Sequence, residues 1–282
     1  MTTLEWQGMT YADDLAIARR LADLADPISM RYYDGEDLGT VTKPDGSPVT
    51  LADREVERVL RDELASVRPT DLVIGEEFGT DDGPGSRHWI IDPIDGTSHF
   101  IGKKDAWSTL IGLQDDGVVT VGLASAPALA RRWWAAVGEG AWTAPNGGEA
   151  KRLGVTSTAT LDKSAIAMWP VAHRVSADRR PVVDALSAAA AVLRPTREEG
   201  DSLREATGNV HGGLMVAEGL LDAYVLLGGG AWDHAAVVPI VEEAGGRFSD
   251  LSGGTRVDLH AGLYSNGHVH DELLRLVTAA LG

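Results

Sequence analysis

Apolar residues recur along this chain at two periods, and the places where the period changes outline its elements. From Tyr11 to about Tyr33, Leu21, Leu24 and Ile28 repeat at helical spacing behind Asp13 and Asp14, which predicts an amphipathic helix. A Pro- and Gly-rich turn from Lys43 to Val49 precedes a second helix opening at Thr50-Leu51-Ala52-Asp53, with Val56, Val59, Leu60 and Leu64 as its buried stripe. Asp71 to Gly75 reads as a short buried strand ending in Glu76 and Glu77. Trp89-Ile90-Ile91 reads as another, expected to stop near Asp92 because Pro93 has no N–H and favours an extended residue before it. Trp107 to Leu113, Val118 to Ser125 and Arg132 to Val137 predict a meander of strands. Pro145-Asn146-Gly147-Gly148 is the most turn-rich stretch near mid-chain and suggests sub-halves at about 1–146 and 147–282. Beyond it the pattern predicts a strand at Ala165 to Met168, an Ala-rich helix from Asp178 to Leu193 and a helix at His211 to Leu221. A strand at Asp222 to Leu227, a helix over Ala235 to Ala244, a strand at Leu263 to Ser265 and a helix from about Val269 complete the chain.

Composition narrows the chemistry. The 282 residues carry 42 acids and 25 Lys or Arg, a net charge of −17. That balance argues against a nucleic-acid or anionic-membrane partner and leaves phosphate binding dependent on cations. The absence of cysteine removes disulfides, thiolate chemistry and Cys-based zinc sites. No apolar run reaches membrane-spanning length, and the first residues lack a basic region followed by an apolar core, so a cytoplasmic protein is expected.

Among so many carboxylates, only clustered ones inform on function. Asp92-Pro93-Ile94-Asp95-Gly96-Thr97 stands at the end of an apolar run, where two carboxylates and the Ile94 carbonyl could converge on a hard cation. Gly96 and Thr97 could add backbone N–H donors for an anion and a hydroxyl to orient a water. Asp-Pro and Asp-Gly are also ordinary turn pairs. Asp53, three residues after Thr50, reads equally as a capping-box carboxylate, and Asp233 after Gly228-Gly229-Gly230 as an N-cap. Taken together, Glu76, Asp92, Asp95 and Asp233 would make an oxygen cage for two magnesium ions, since four carboxylates do not share one place without cations. Two such ions clamp an in-line displacement, the chemistry of phosphate ester hydrolysis.

The chain resembles the inositol monophosphatase superfamily of magnesium-dependent, lithium-sensitive phosphatases. The resemblance rests on Val49-Thr50-Leu51-Ala52-Asp53, Gly75-Glu76-Glu77, Trp89 to Thr97 with Phe100, Ala231-Trp232-Asp233 and Glu243-Ala244-Gly245-Gly246, all in family order. It implies an α+β fold, a layered αβαβα sandwich over residues 1–282 as one unit, usually a homodimer. It implies that Glu76, Asp92 and the Ile94 carbonyl hold one Mg²⁺ and Asp92, Asp95 and Asp233 a second, with a third near Glu76. Thr97 and Asp53 would orient or activate water, and Asp95, Gly96 and Thr97 would meet the phosphate of a small-molecule ester.

Ser125 to Leu129 with Arg131 to Ala136, and Ala217-Glu218-Gly219 with Asp222, resemble the actinobacterial histidinol-phosphatase branch, which makes histidinol phosphate the leading substrate. Inositol, sugar and specialised-metabolite phosphates are the alternatives. The chain departs from its relatives where the alcohol should be read: Asn209 stands where that branch has Asp, and Leu226 where inositol phosphatases have a substrate-binding acid. His99, where the family commonly has Asn, fits a structural hydrogen bonder. Two readings compete. Gly200-Asp201-Ser202-Leu203 spells the signature of a serine-esterase family, with Ser202 as a metal-independent nucleophile, and a non-catalytic metal-binding protein would keep the acids without turnover.

Overall fold

The computed structural model describes residues 11–35, 37–170, 174–195 and 209–282. The Ser202 motif lies outside the described residues. Helix α1 (Tyr11–Asp34) and helix α2 (Leu51–Val67) take the predicted positions. They are joined through a small hairpin, β1 (Val41–Thr42) and β2 (Pro48–Val49), where the sequence suggested only a turn.

An eight-stranded sheet follows. Its strands are β3 (Leu72–Gly75), β4 (Gly79–Thr80), β5 (Arg87–Asp95), β6 (Ser108–Asp115), β7 (Val118–Ala126), β8 (Arg131–Ala136), β9 (Gly140–Pro145) and β10 (Lys151–Arg152), in the spatial order β10-β9-β8-β7-β6-β5-β3-β4. Alternation along the strands gives the sheet two buried faces. Ile91, Ile111 and Val121 meet Leu21, Val56 and Leu60 of α1 and α2, whereas Ile90, Leu110 and Trp133 face the middle of the molecule.

A second sheet takes the order β12-β11-β13-β15-β14, from β11 (Ala165–Trp169), β12 (Val192–Pro195), β13 (Ala223–Leu226), β14 (Arg247–Ser249) and β15 (Gly262–Ser265). Between the sheets lie α5 (Gly212–Ala217), α6 (Ala231–Ala235) and α7 (Val237–Glu243), whose Leu214, Ala235, Val237 and Ile240 share one core with strands of both. Outside the second sheet, α4 (Arg180–Ala189) and α8 (His270–Leu281) bury Val182, Leu186, Leu273 and Val277. The layers run α, β, α, β, α, as the resemblance implied.

Four boundaries differ from the pattern. The strand expected to stop at Asp92 continues to Asp95, because the pairing with β6 skips from Asp92↔Leu110 to Asp95↔Ser108. Three steps on one strand match two on the other, so one residue bulges out and the ladder resumes beyond Pro93. The helix expected over Asp178 to Leu193 covers only Arg180 to Ala189; Ala190 is already extended, and β12 pairs in parallel with β11 instead. Alanine's modest helix preference yields there to strand pairing. The helix expected over Ala235 to Ala244 is broken after Ala235, because Pro239 has no N–H for the carbonyl four residues back. The Pro145–Gly148 turn lies inside the β9–β10 pairing, so the chain passes to the second sheet only between Arg152 and Ala165.

Candidate active site

The bulge in β5 builds the centre of the site. Asp92 turns back on its own chain, its Oδ1 accepting the Ile94 N–H at 2.9 Å, while Thr109 Oγ1 donates to the Pro93 carbonyl at 2.8 Å. Side chain and carbonyls are thereby aimed away from the ladder. Gly96 then adopts φ +86 before the short helix α3 (Thr97–Ile101), and a Cβ there would press on the Ala106 carbonyl at 3.2 Å. His99 and Phe100 both donate to the Gly96 carbonyl, so Thr97 and Ser98 keep first-turn N–H groups without intrahelical acceptors. The Thr97 hydroxyl donates to the Ile94 carbonyl at 3.1 Å.

Asp233 comes from the middle layer, on α6. It is the third residue of α6 rather than its N-cap, and its Oδ2 accepts the Gly230 N–H at 2.6 Å. One carboxylate oxygen each from Asp92, Asp95 and Asp233 lie within 4.8 Å of one another. Glu76, just past β3, completes the set through contact with Asp92. Burial first, and then the charges of Glu76, Asp95, Asp233 and Asp53, push Asp92 well above the usual carboxylate range. Burial likewise raises Glu76. A set of oxygens this close that resists ionisation is what a hard divalent cation stabilises.

Asp53 takes the capping-box position. Its Oδ2 accepts from the Thr50 N–H at 2.9 Å and the Thr50 hydroxyl at 2.5 Å, closing a capping box. Its Oδ1 is buried with no hydrogen-bond partner among the described residues. Burial pushes its pKa up to about 7, against the Thr50 bonds and with the help of Glu77 and Glu76. A buried carboxyl with one spare oxygen and a pKa near neutrality is suited to take a proton.

Two supporting groups gave no sequence signal. Glu57, fully buried on α2, accepts the Glu77 and Phe78 N–H groups at 2.8 and 3.1 Å and Arg61 Nε at 2.9 Å, fixing the turn that carries Glu76. Gly75 leaves room for it: a Cβ there would stand 1.9 Å from Glu57 Oε1. Lys43, from the β1–β2 turn, reaches Glu76 at 2.9 Å and Glu77 at 2.6 Å. Burial opposes its charge, yet the two carboxylates hold it above the ordinary lysine range.

Glu76, Asp92, Ile94, Asp95, Gly96, Thr97 and Asp233 line a cavity of about 200 Å³, and Asp53, Glu57 and Lys43 are not among its walls. Leu226 also lines it, together with Trp169, His211 and Tyr224, which sequence reasoning missed; Trp169 ends β11 and His211 caps α5, positions the sequence pattern did not single out. Asn209 is not brought to the cavity. It is buried and accepts the Val210 and His211 N–H groups at 2.7 and 3.1 Å, with its side chain beside Glu218. His99 is buried and off the cavity, in keeping with a structural role.

With this geometry in hand, known proteins supply the comparison. The sequence model of the inositol monophosphatase family matches residues 11–281. Histidinol-phosphatase of Mycobacterium tuberculosis is 39% identical over 267 residues, covering 95% of this chain and 98% of that protein. Histidinol-phosphatase of Streptomyces coelicolor is 40% identical over 270 residues, covering 94% and 96%. The solved structure of the Thermotoga maritima IMPase superposes with a TM-score of 0.77 at 28% identity, over 95% of this chain and 98% of the other.

Proposed function

The chain belongs to the inositol monophosphatase family of metal-dependent phosphoric monoester hydrolases, and on that premise we propose a Mg²⁺-dependent phosphatase for a small alcohol phosphate. The observation that carries the reading is the convergence of Asp92, Asp95 and Asp233 oxygens within 4.8 Å of one another, with the charge of Asp53 acting on Asp92. Glu76, Asp92, the Ile94 carbonyl, Asp95 and Asp233 would hold two Mg²⁺, with a third near Glu76. Bound Mg²⁺ lowers the pKa of water and neutralises charge on the phosphate and leaving oxygens.

The chain's own groups do the rest. Thr97 orients the attacking water through its hydroxyl, which already sits at the Ile94 carbonyl at 3.1 Å. Asp53 Oδ1 is the acceptor for the water's proton, directly or through Thr97. The Gly96, Thr97 and Ser98 backbone meets the phosphate at the first turn of α3, and the bulge that aims Asp92 and Asp95 holds these parts in register with it. Phosphate ester and water give alcohol and inorganic phosphate.

Histidinol phosphate is the leading substrate, supported by the two histidinol-phosphatases that resemble the chain over nearly its full length. A cytoplasmic homodimer inhibited by lithium completes the reading; among the described residues no helix is long and apolar enough to cross a membrane. Asp95→Asn tests it. Loss of one metal ligand removes several kcal/mol of transition-state stabilisation, on the order of 10³-fold in kcat, with circular dichroism unchanged. Wild-type turnover in a folded Asp95→Asn protein would overturn the assignment.

A further inference from the structure

A second cavity, of about 190 Å³, lies on the α1 face of the first sheet and shares no lining residue with the acid cavity. Strand register builds its floor. Arg132 and Trp134 stand two residues apart on β8 and project from one face. Leu123 on β7 is the Cα partner of Trp134, and Ala144 on β9 that of Arg132, so all four side chains share that face. The β9–β10 turn, Pro145 to Gly148, and Arg19 of α1 complete the walls. Among the described residues its charged walls are both arginines, in a chain of net charge −17. Arg132 pins α1 to the sheet: Nε donates to Ser125 Oγ at 3.0 Å, Nη1 to Asp23 at 2.6 Å and Nη2 to Asp26 at 2.5 Å. A guanidinium has five N–H groups in one plane, so these bonds leave one on each Nη for a further acceptor. Arg19 is held differently, its guanidinium carbon lying 4.8 Å from the centroid of the Trp134 ring. A guanidinium over an indole keeps its N–H edge for an acceptor. Burial, and then the charge of Arg132, lower the Arg19 pKa from the ordinary arginine range, so the two cations act on each other at this cavity. An anion beside both relieves that repulsion.

We propose that this cavity binds a small carboxylate with an apolar body. The carboxylate meets the N–H edges of Arg19 and Arg132, whose planar forks match its two oxygens. The body rests on Leu123, Trp134 and Ala144. That floor favours such a molecule over an inorganic oxyanion, which would leave the apolar surface facing water. Shielding of Trp134 by Arg19 and pinning of α1 by Arg132 account for each arginine singly. They do not account for both opening on one cavity with an apolar floor. The proposal stands on geometry away from the acid side and does not depend on the phosphatase reading.

The test is calorimetric titration of the full chain, with Mg²⁺, by benzoate, 3-methylbutanoate, benzyl alcohol and sulfate. The two carboxylates should bind saturably and about tenfold or more tightly than benzyl alcohol or sulfate. Arg19→Gln, at an exposed position, should weaken benzoate binding by about tenfold or more while circular dichroism stays that of the wild type. Ala144→Leu keeps both arginines and puts a larger side chain into the cavity, and it should weaken benzoate to a similar degree. Asp95→Asn should bind benzoate as the wild type does, which separates this cavity from a carboxylate bound to cations on the acid side. Absence of saturable benzoate binding would overturn the proposal. So would wild-type affinity in folded Arg19→Gln, or loss of binding in Asp95→Asn with retention in Arg19→Gln. Sulfate bound as tightly as benzoate would overturn the carboxylate assignment.

Discussion

The two sides of the cavity are built from opposite materials by opposite means. The acid side comes from a strand bulge, two short helices and a turn, and it brings together carboxylates that are unstable beside one another without cations. The second-sheet side comes from two regular parallel strands in register, with Trp169 and Leu226 at their ends and Tyr224 and His211 beside them. The first is irregular backbone held by local hydrogen bonds, which suits chemistry. The second is a packed wall, which suits selection among alcohols. If the proposed function holds, these two parts of the fold should respond to different substitutions.

The sharpest way to separate them is to disable the acid side and leave the wall intact. Asp53→Asn keeps an oxygen for the Thr50 cap but loses the proton acceptor, so kcat should fall roughly 10²- to 10³-fold. The ranking of esters by relative kcat/KM should stay as in the wild type. A changed ranking with unchanged kcat would merge the two sides.

Gly75→Ala probes the support beneath the acids. Its new Cβ falls 1.9 Å from Glu57 Oε1, and that carboxylate cannot swing away without releasing the Glu77 and Phe78 N–H groups and Arg61. Loss of even one of these three charge-assisted bonds corresponds to about 1.5–3 kcal/mol, read as a lower denaturant midpoint with reduced activity. Unaltered stability and turnover would show that Glu57 does not hold the Glu76 turn.

A smaller effect lies in pH. Asp53, whose pKa rises from 3.8 to about 7, and Glu76 and Asp92, also raised, bind protons more tightly folded than unfolded. In the metal-free protein these groups cost no stability below the unfolded carboxylate range. For Asp53 the penalty grows as pH rises from about 4 to 7 and is complete above that. With EDTA, Tm should therefore drop between pH 5 and pH 8, and Mg²⁺ should restore more of it at pH 8 than at pH 5, because the cation displaces those protons. A restoration equal at both pH values would argue against cation binding by these carboxylates.

The contrast between the sides also explains what could be read from the chain. Asp92, Ile94, Asp95, Gly96 and Thr97 are adjacent in sequence, so their convergence needed only a turn to be foreseen, although Pro93 suggested an ended strand rather than a bulged one. Asp53 and Asp233 were ambiguous because capping chemistry and cation chemistry use the same residue; Asp53 closes its capping box while its charge acts on Asp92, and Asp233 occupies the third helical position. Trp169 and Leu226 lie 57 positions apart and meet only through strand register, which no local pattern encodes. Glu57 was hidden in a helix stripe as one more charged residue, and only its tertiary contacts with the Glu77 turn reveal it. The break after Ala235 was in principle visible in Pro239, whereas strand β12 was masked by an alanine run.

The central claim is that phosphate ester cleavage depends on cations held by the acid side. Its most direct measurement is inorganic phosphate release from histidinol phosphate by the wild-type protein, with Mg²⁺ and with excess EDTA, beside Ser202→Ala. Turnover is expected with Mg²⁺, none above background in EDTA, and full activity in Ser202→Ala. Ester cleavage that persists in EDTA and disappears in Ser202→Ala would contradict the claim and assign the chemistry to a serine nucleophile.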